Sequence, residues 1–143
     1  MATKRRAFFL FILLLAGCTP LPPSPEDIQA KKFEVVPGKA VIYLVREVGD
    51  FSPASTRVNV GDKVQVTTYP GTYYRWETPP GKHTIAGDGQ DYASITVQVE
   101  AGRIYYVVQR VVGTRAPSST FQIIGEAEGR AAVMRSVLLV PNQ

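Results

Sequence analysis

Cysteine is almost missing: Cys18 stands alone in a chain of 143 residues. A single thiol excludes both an internal disulfide framework and a thiolate metal cage. Histidine is equally scarce, with His83 the sole example, and neither zinc-ligand spacing nor a nucleophile-elbow pattern surrounds it. The chain has no apolar run of membrane-spanning length, since the longest, from Ala7 to Leu15, falls far below the roughly 20 residues a transmembrane helix needs. What remains is 45% hydrophobic and 20% charged, with 12 Gly and 11 Pro. That balance excludes a disordered or collagen-like chain and fits one compact domain at most.

The N-terminus carries a targeting pattern and must be set apart from fold reasoning. Lys4, Arg5 and Arg6 precede the apolar stretch, as in a secretory signal peptide covering residues 1–17. Its end, Leu15-Ala16-Gly17-Cys18, resembles the bacterial lipobox. That resemblance implies cleavage between Gly17 and Cys18, a diacylglycerol on the Cys18 sulfur and an acyl group on the new amine. The bland reading is a buried, inert thiol behind an ordinary signal. Lipid gives the lone cysteine a use, because one acyl chain holds a protein only weakly whereas two or three anchor it stably. Thr19 follows, where an aspartate would retain a lipoprotein at the inner membrane under the enterobacterial sorting rule. The expected location is therefore the outer membrane, facing the periplasm, with the membrane itself as first partner.

Removing Lys4, Arg5 and Arg6 from the 16 basic residues leaves 13 against 12 acidic, so the precursor's pI of about 9.3 overstates the charge of the mature chain. No basic run of the mature chain exceeds Lys31-Lys32, which argues against a nucleic-acid partner. Residues 18–37 read as a tether. Thr19 to Pro25 is TPLPPSP, which favours extended polyproline II, with a proline-rich recognition segment as the alternative. Glu26 to Ala30 suits a helical turn, and Pro37-Gly38 marks the expected entrance to a domain over 38–143.

Beyond Gly38 the apolar period is two. Lys39 to Arg46 is nearly continuous in apolar residues, as in a strand buried on both faces. Val58-Asn59-Val60 and Val64-Gln65-Val66 alternate around Gly61-Asp62, a hairpin pattern. Gly71 to Glu77, His83 to Ala86, Ala93 to Glu100, Arg103 to Val112 and Ser119 to Ile124 supply further strands, and Val137 to Val140 adds an edge. Gly125 to Arg135 breaks the pattern with Ala and Glu, and Glu126 and Arg130 are spaced for an ion pair, so one short helix is expected there. Gly129 would cost that helix about 1 kcal/mol relative to alanine. Seven or eight strands without crossover helices predict an all-β, antiparallel β-sandwich with one short C-terminal helix.

In this order the segments resemble a family of small bacterial lipoproteins, domain of unknown function 2846. The match rests on the lipobox, the Pro-rich spacer, Lys39-Ala40-Val41-Ile42-Tyr43-Leu44-Val45-Arg46, Pro70-Gly71-Thr72-Tyr73-Tyr74, Pro80-Gly81-Lys82-His83-Thr84-Ile85, Gly102-Arg103-Ile104-Tyr105-Tyr106-Val107 and Glu126-Ala127-Glu128-Gly129-Arg130. It spans almost the whole mature chain and implies a periplasm-facing sandwich of immunoglobulin-like appearance, with no assigned activity. Gly61-Asp62-Lys63 departs from the Asp-Gly turn that family members often carry.

His83 is the one imidazole available for acid–base work, but no nucleophile or orienting carboxylate accompanies it in sequence, and Pro80-Gly81 reads as turn chemistry. Tyr73, Tyr74, Trp76, Tyr105 and Tyr106 form two aromatic clusters. They suit a glycan or peptide platform, or else core packing, with one ring of each adjacent pair facing in and the other out. Arg75, Arg103 and Arg110 read as solvated strand-face charges. Three functions remain open: a non-catalytic structural or protein-interaction module of the envelope with no cofactor, a small-ligand or glycan binder, and an envelope hydrolase.

Overall fold

The structure is a computed structural model and describes residues 22–140. The signal peptide, Gly17 and Cys18 lie outside the described residues. The elements run α1 (Pro25–Ala30), β1 (Ala40–Arg46), β2 (Thr56–Val60), β3 (Val64–Thr68), β4 (Thr72–Thr78), β5 (Gly81–Gly87), β6 (Ser94–Val99), β7 (Ile104–Val112), β8 (Ser118–Ile124), α2 (Glu126–Met134) and β9 (Val137–Leu138). None of these helices is long and apolar enough to cross a membrane.

Two sheets face each other, in the orders β8-β7-β1-β4-β9 and β3-β2-β5-β6. Alternation places Ile42, Leu44, Val58, Val60, Ile85, Val97, Val99 and Val107 between them as one apolar core. The β-sandwich expected from the sequence is present, with its strands where the period-two runs lie. Its larger sheet is not wholly antiparallel. β1 pairs parallel with β7, and β4 parallel with β9, while the remaining pairs are antiparallel. The cause lies at Ala101-Gly102, where the chain crosses between sheets and starts β7 beside the start of β1. Gly102 N donates to the Lys39 carbonyl (2.7 Å) and Val41 N to the Arg103 carbonyl (2.9 Å).

A helical layer covers the outer face of the larger sheet. Val41, Tyr43, Val45, Tyr73 and Tyr106 point that way and pack with Ala30, Ala132 and Val133. β1 is consequently buried at all seven positions, as its unbroken apolar run implies. α2 reaches the sheet through Gly129, where an ideal Cβ would stand 2.1 Å from Tyr106 Cγ. Close approach therefore requires glycine there, whatever its cost to the helix. Arg130 Nε meets Glu126 Oε1 at 2.8 Å, the expected i, i+4 pair.

The expected tether boundary at Gly38 is corrected, because residues 25–36 are packed into the folded unit. Ser24 caps α1 by accepting from Asp27 N at 3.1 Å, with Pro25 in the first turn. The Asp27 carboxylate, 3% exposed, accepts from Tyr73 Oη (2.8 Å), Leu138 N (3.0 Å) and Lys31 Nζ (2.8 Å). Tyr43 Oη donates to the Ala30 carbonyl at 2.6 Å. Past α1 the chain turns at Phe33, whose φ of 55° is uncommon for a side chain of this size. Phe33 sets its ring 5.5 Å from that of Tyr43. The stretch left to act as a spacer after Cys18 ends at Ser24.

Candidate functional site

The aromatic clusters do not form an open platform. Tyr73 and Tyr106 are sealed under the helical layer, at 0% and 2% exposure, while Tyr74, Trp76 and Tyr105 are half-buried against the inter-sheet core. In each adjacent pair both rings face a covered side, because both faces of the sheet are packed. Burial accordingly raises the Tyr43, Tyr74 and Tyr106 hydroxyls, the last to about 12. Tyr73 rises through burial and through its bond to the Asp27 carboxylate. Tyr106 Oη finds no hydrogen-bond partner among the described residues.

His83 sits in a small polar corner rather than a triad. Its Nε2 lies 2.7 Å from the Pro79 carbonyl, its ring is near Thr78 Oγ1, and Trp76 approaches it edge-on with centroids 5.1 Å apart. These contacts fix the turn between β4 and β5. No three His, Cys, Asp or Glu side chains converge at metal-binding distance among the described residues.

At the loop end of the sandwich lies a polar cluster that the sequence does not announce. Arg46 and Asp50 form an ion pair with side chains 0% and 1% exposed, and the guanidinium also donates to the Ser52 and Thr68 carbonyls. Asp50 accepts from Val111 N at 2.9 Å. Beside it, Gln109 Nε2 donates to Thr56 Oγ1 and Ser119 Oγ (both 2.9 Å), and its Oε1 accepts from Thr68 Oγ1 (2.7 Å). Every member has partners, so the cluster locks the loops together.

A groove of about 740 Å³ runs along the outer edge of β4, walled by α1, the 34–36 segment and residues 138–140. Two donations define the edge: Val137 N to the Gly71 carbonyl (2.9 Å) and Leu139 N to the Tyr73 carbonyl (2.7 Å). Odd-numbered residues of β4 thus turn their peptide groups toward β9, and the same parity leaves those of Arg75 and Glu77 beyond its end, without a backbone partner among the described residues. β9 ends at Leu138 among the described residues. Within the groove Arg75 is bound to Glu77 and donates to the Glu34 carbonyl at 3.3 Å, so it is not the solvated charge the sequence suggested. Arg75 holds the Glu77 carboxyl below the usual carboxylate range. Glu26 and Glu34 make no ion pair among the described residues, and the Glu34 carboxylate accepts from Gln29 Nε2 at 2.8 Å. Arg103 and Arg110 stay exposed, as expected.

Sequence reasoning placed the β4 aromatics but missed both the groove and the Asp27 latch that builds one of its walls. A signal for the latch exists in Ser24-Pro25-Glu26-Asp27: an N-cap, proline at the first helical position and acids in the first turn. No family model, curated protein or solved structure matches the chain.

Proposed function

We propose that this chain is a lipid-anchored, non-catalytic lipoprotein of the cell envelope, held at the periplasmic face of the outer membrane through acyl chains on Cys18 and serving as a protein-interaction module. The carrying observation is the sequence of a cationic start, an apolar stretch and Leu15-Ala16-Gly17-Cys18, followed within seven residues by the cap of the first packed helix. The resemblance to the lipoproteins of domain of unknown function 2846 supports the same reading. Interaction rather than glycan binding is favoured by the groove: among the described residues it offers open backbone groups at Arg75 and Glu77 for strand pairing and one half-buried ring, Tyr74, to a ligand.

Palmitate labelling and fractionation test the anchor. The native chain should incorporate label and stay with membranes through a high-salt wash, and Cys18→Ser should accumulate as unprocessed or soluble precursor. Washed membranes that retain the variant would contradict the anchor. A photo-crosslinker at Glu77 should capture a defined envelope protein that one at Tyr92, in the exposed loop bound to the start of β8, does not. Equal capture from both positions would contradict the interaction site.

A further inference from the structure

A second surface lies away from the groove, at the loop end of the sandwich. Phe51, Val48, Val137 and Val112 are 77%, 69%, 63% and 52% exposed. Contacts among their loops hold them at one end. An ideal Cβ on Gly71 would stand 2.9 Å from Val48 Cγ2, and the Gly71 carbonyl accepts from Val137 N. Asp50, next to Phe51, accepts from Val111 N, and Ser52 Oγ donates to the Gly113 carbonyl. Arg110 and Arg115, before and after Val112 in the chain, are exposed and without an ion pair among the described residues, and Arg110 lines the same recess as Val48 and Phe51. Apolar side chains beside unpaired guanidinium groups match a lipid interface, where rings and aliphatic tips enter the acyl boundary while cations meet anionic headgroups.

The strip lies close to the point where the spacer joins the fold. Asp27 of α1 accepts from Leu138 N and Lys31 donates to the Ser136 carbonyl at 2.7 Å, so both residues flanking Val137 are bound to the helix that Ser24 caps. Seven residues from Cys18 to Ser24 reach about 20 Å when extended. We infer that the Val48–Phe51–Val112–Val137 strip, with Arg110 and Arg115, docks on the surface of an anionic bilayer, the one that carries the anchor. This rests on the lipid-anchor reading for its geometry in the cell. The strip's own affinity is weak, and tethering raises its effective concentration to the millimolar range.

The test uses a chain beginning at Thr19, which keeps every described element and lacks Cys18, so its result does not depend on acylation. The probe is sedimentation with phosphatidylethanolamine vesicles containing about one third phosphatidylglycerol. The chain should bind them and release in salt, and Val48→Ser/Phe51→Ser should weaken binding about tenfold. Arg110→Gln/Arg115→Gln should flatten the salt dependence. Both changes fall on exposed side chains, and an unchanged thermal melt confirms intact folding. Equal binding by the native and double-serine chains, or no binding at millimolar lipid, would overturn the proposal. Failure of the Cys18→Ser fractionation would instead remove the anchor and leave the vesicle result standing.

Discussion

Asp27→Asn probes the contact that turns a nominal tether into part of the domain. The native carboxylate is almost sealed and accepts three hydrogen bonds, from Tyr73, Leu138 and Lys31. Asparagine offers one carbonyl oxygen and points an NH2 group at donors. Charge-assisted bonds contribute about 1.5–3 kcal/mol each, but Lys31 is 18% exposed and regains part of its loss from water. The net cost should be about 2–3 kcal/mol, or roughly 8–12 °C in Tm for a unit of this size. The pH dependence is specific. Burial alone would raise the Asp27 pKa, but hydrogen bonds from Lys31 and Tyr73, with the Lys31 charge, hold it below the ordinary value. A folded-state pKa below the unfolded one gives stability that is complete above about pH 4 and lost as pH falls through the folded value. Urea titrations across pH should therefore show the native chain's margin over Asp27→Asn intact near neutrality and closing in acid. A margin under about 0.5 kcal/mol at neutral pH, or one that persists in acid, would refute the latch.

Gly129→Ala should improve helix propensity by about 1 kcal/mol yet lower stability overall by about 1–2 kcal/mol, because the new Cβ meets the Tyr106 ring; a rise in Tm would contradict that close approach. Tyr106→Phe removes a buried hydroxyl without a partner among the described residues and should leave stability unchanged or raise it by up to about 1 kcal/mol; a loss of more than about 1 kcal/mol in a urea titration would reveal a hidden bond. A chain starting at Gly38 should melt at least about 10 °C below one starting at Pro22 and bind a hydrophobic dye, since it uncovers Tyr43 and Tyr73. Identical melts would restore the sequence-based boundary.

Much of the sandwich is legible in the sequence because strand burial writes a period of two. Ser94 to Val99 shows it clearly, and the unbroken run over Ala40–Arg46 reads correctly as a strand covered on both sides. What covers the second side is not legible. Alternation says which face a residue takes, not which layer lies over it, so the adjacent pairs Tyr73-Tyr74 and Tyr105-Tyr106 look half-exposed until α1 and α2 are in place. Parallel pairing of β1 with β7 escapes for a related reason, since it joins segments about 60 residues apart and leaves no local mark. The partner of Arg46 is not legible either: the sequence puts Arg46 at the end of a covered strand, and only the folded loop brings Asp50 to it. The groove combines a strand edge, a helix and the 138–140 segment, and only their assembly creates it.

Intact-mass analysis of the mature protein, extracted from membranes with detergent and followed by N-terminal peptide mapping, tests the central claim most directly. The mature chain should begin at Cys18 and carry a thioether-linked diacylglycerol and an amide-linked acyl group. An N-terminus elsewhere, or a Cys18 thiol free to react with a maleimide, would contradict it.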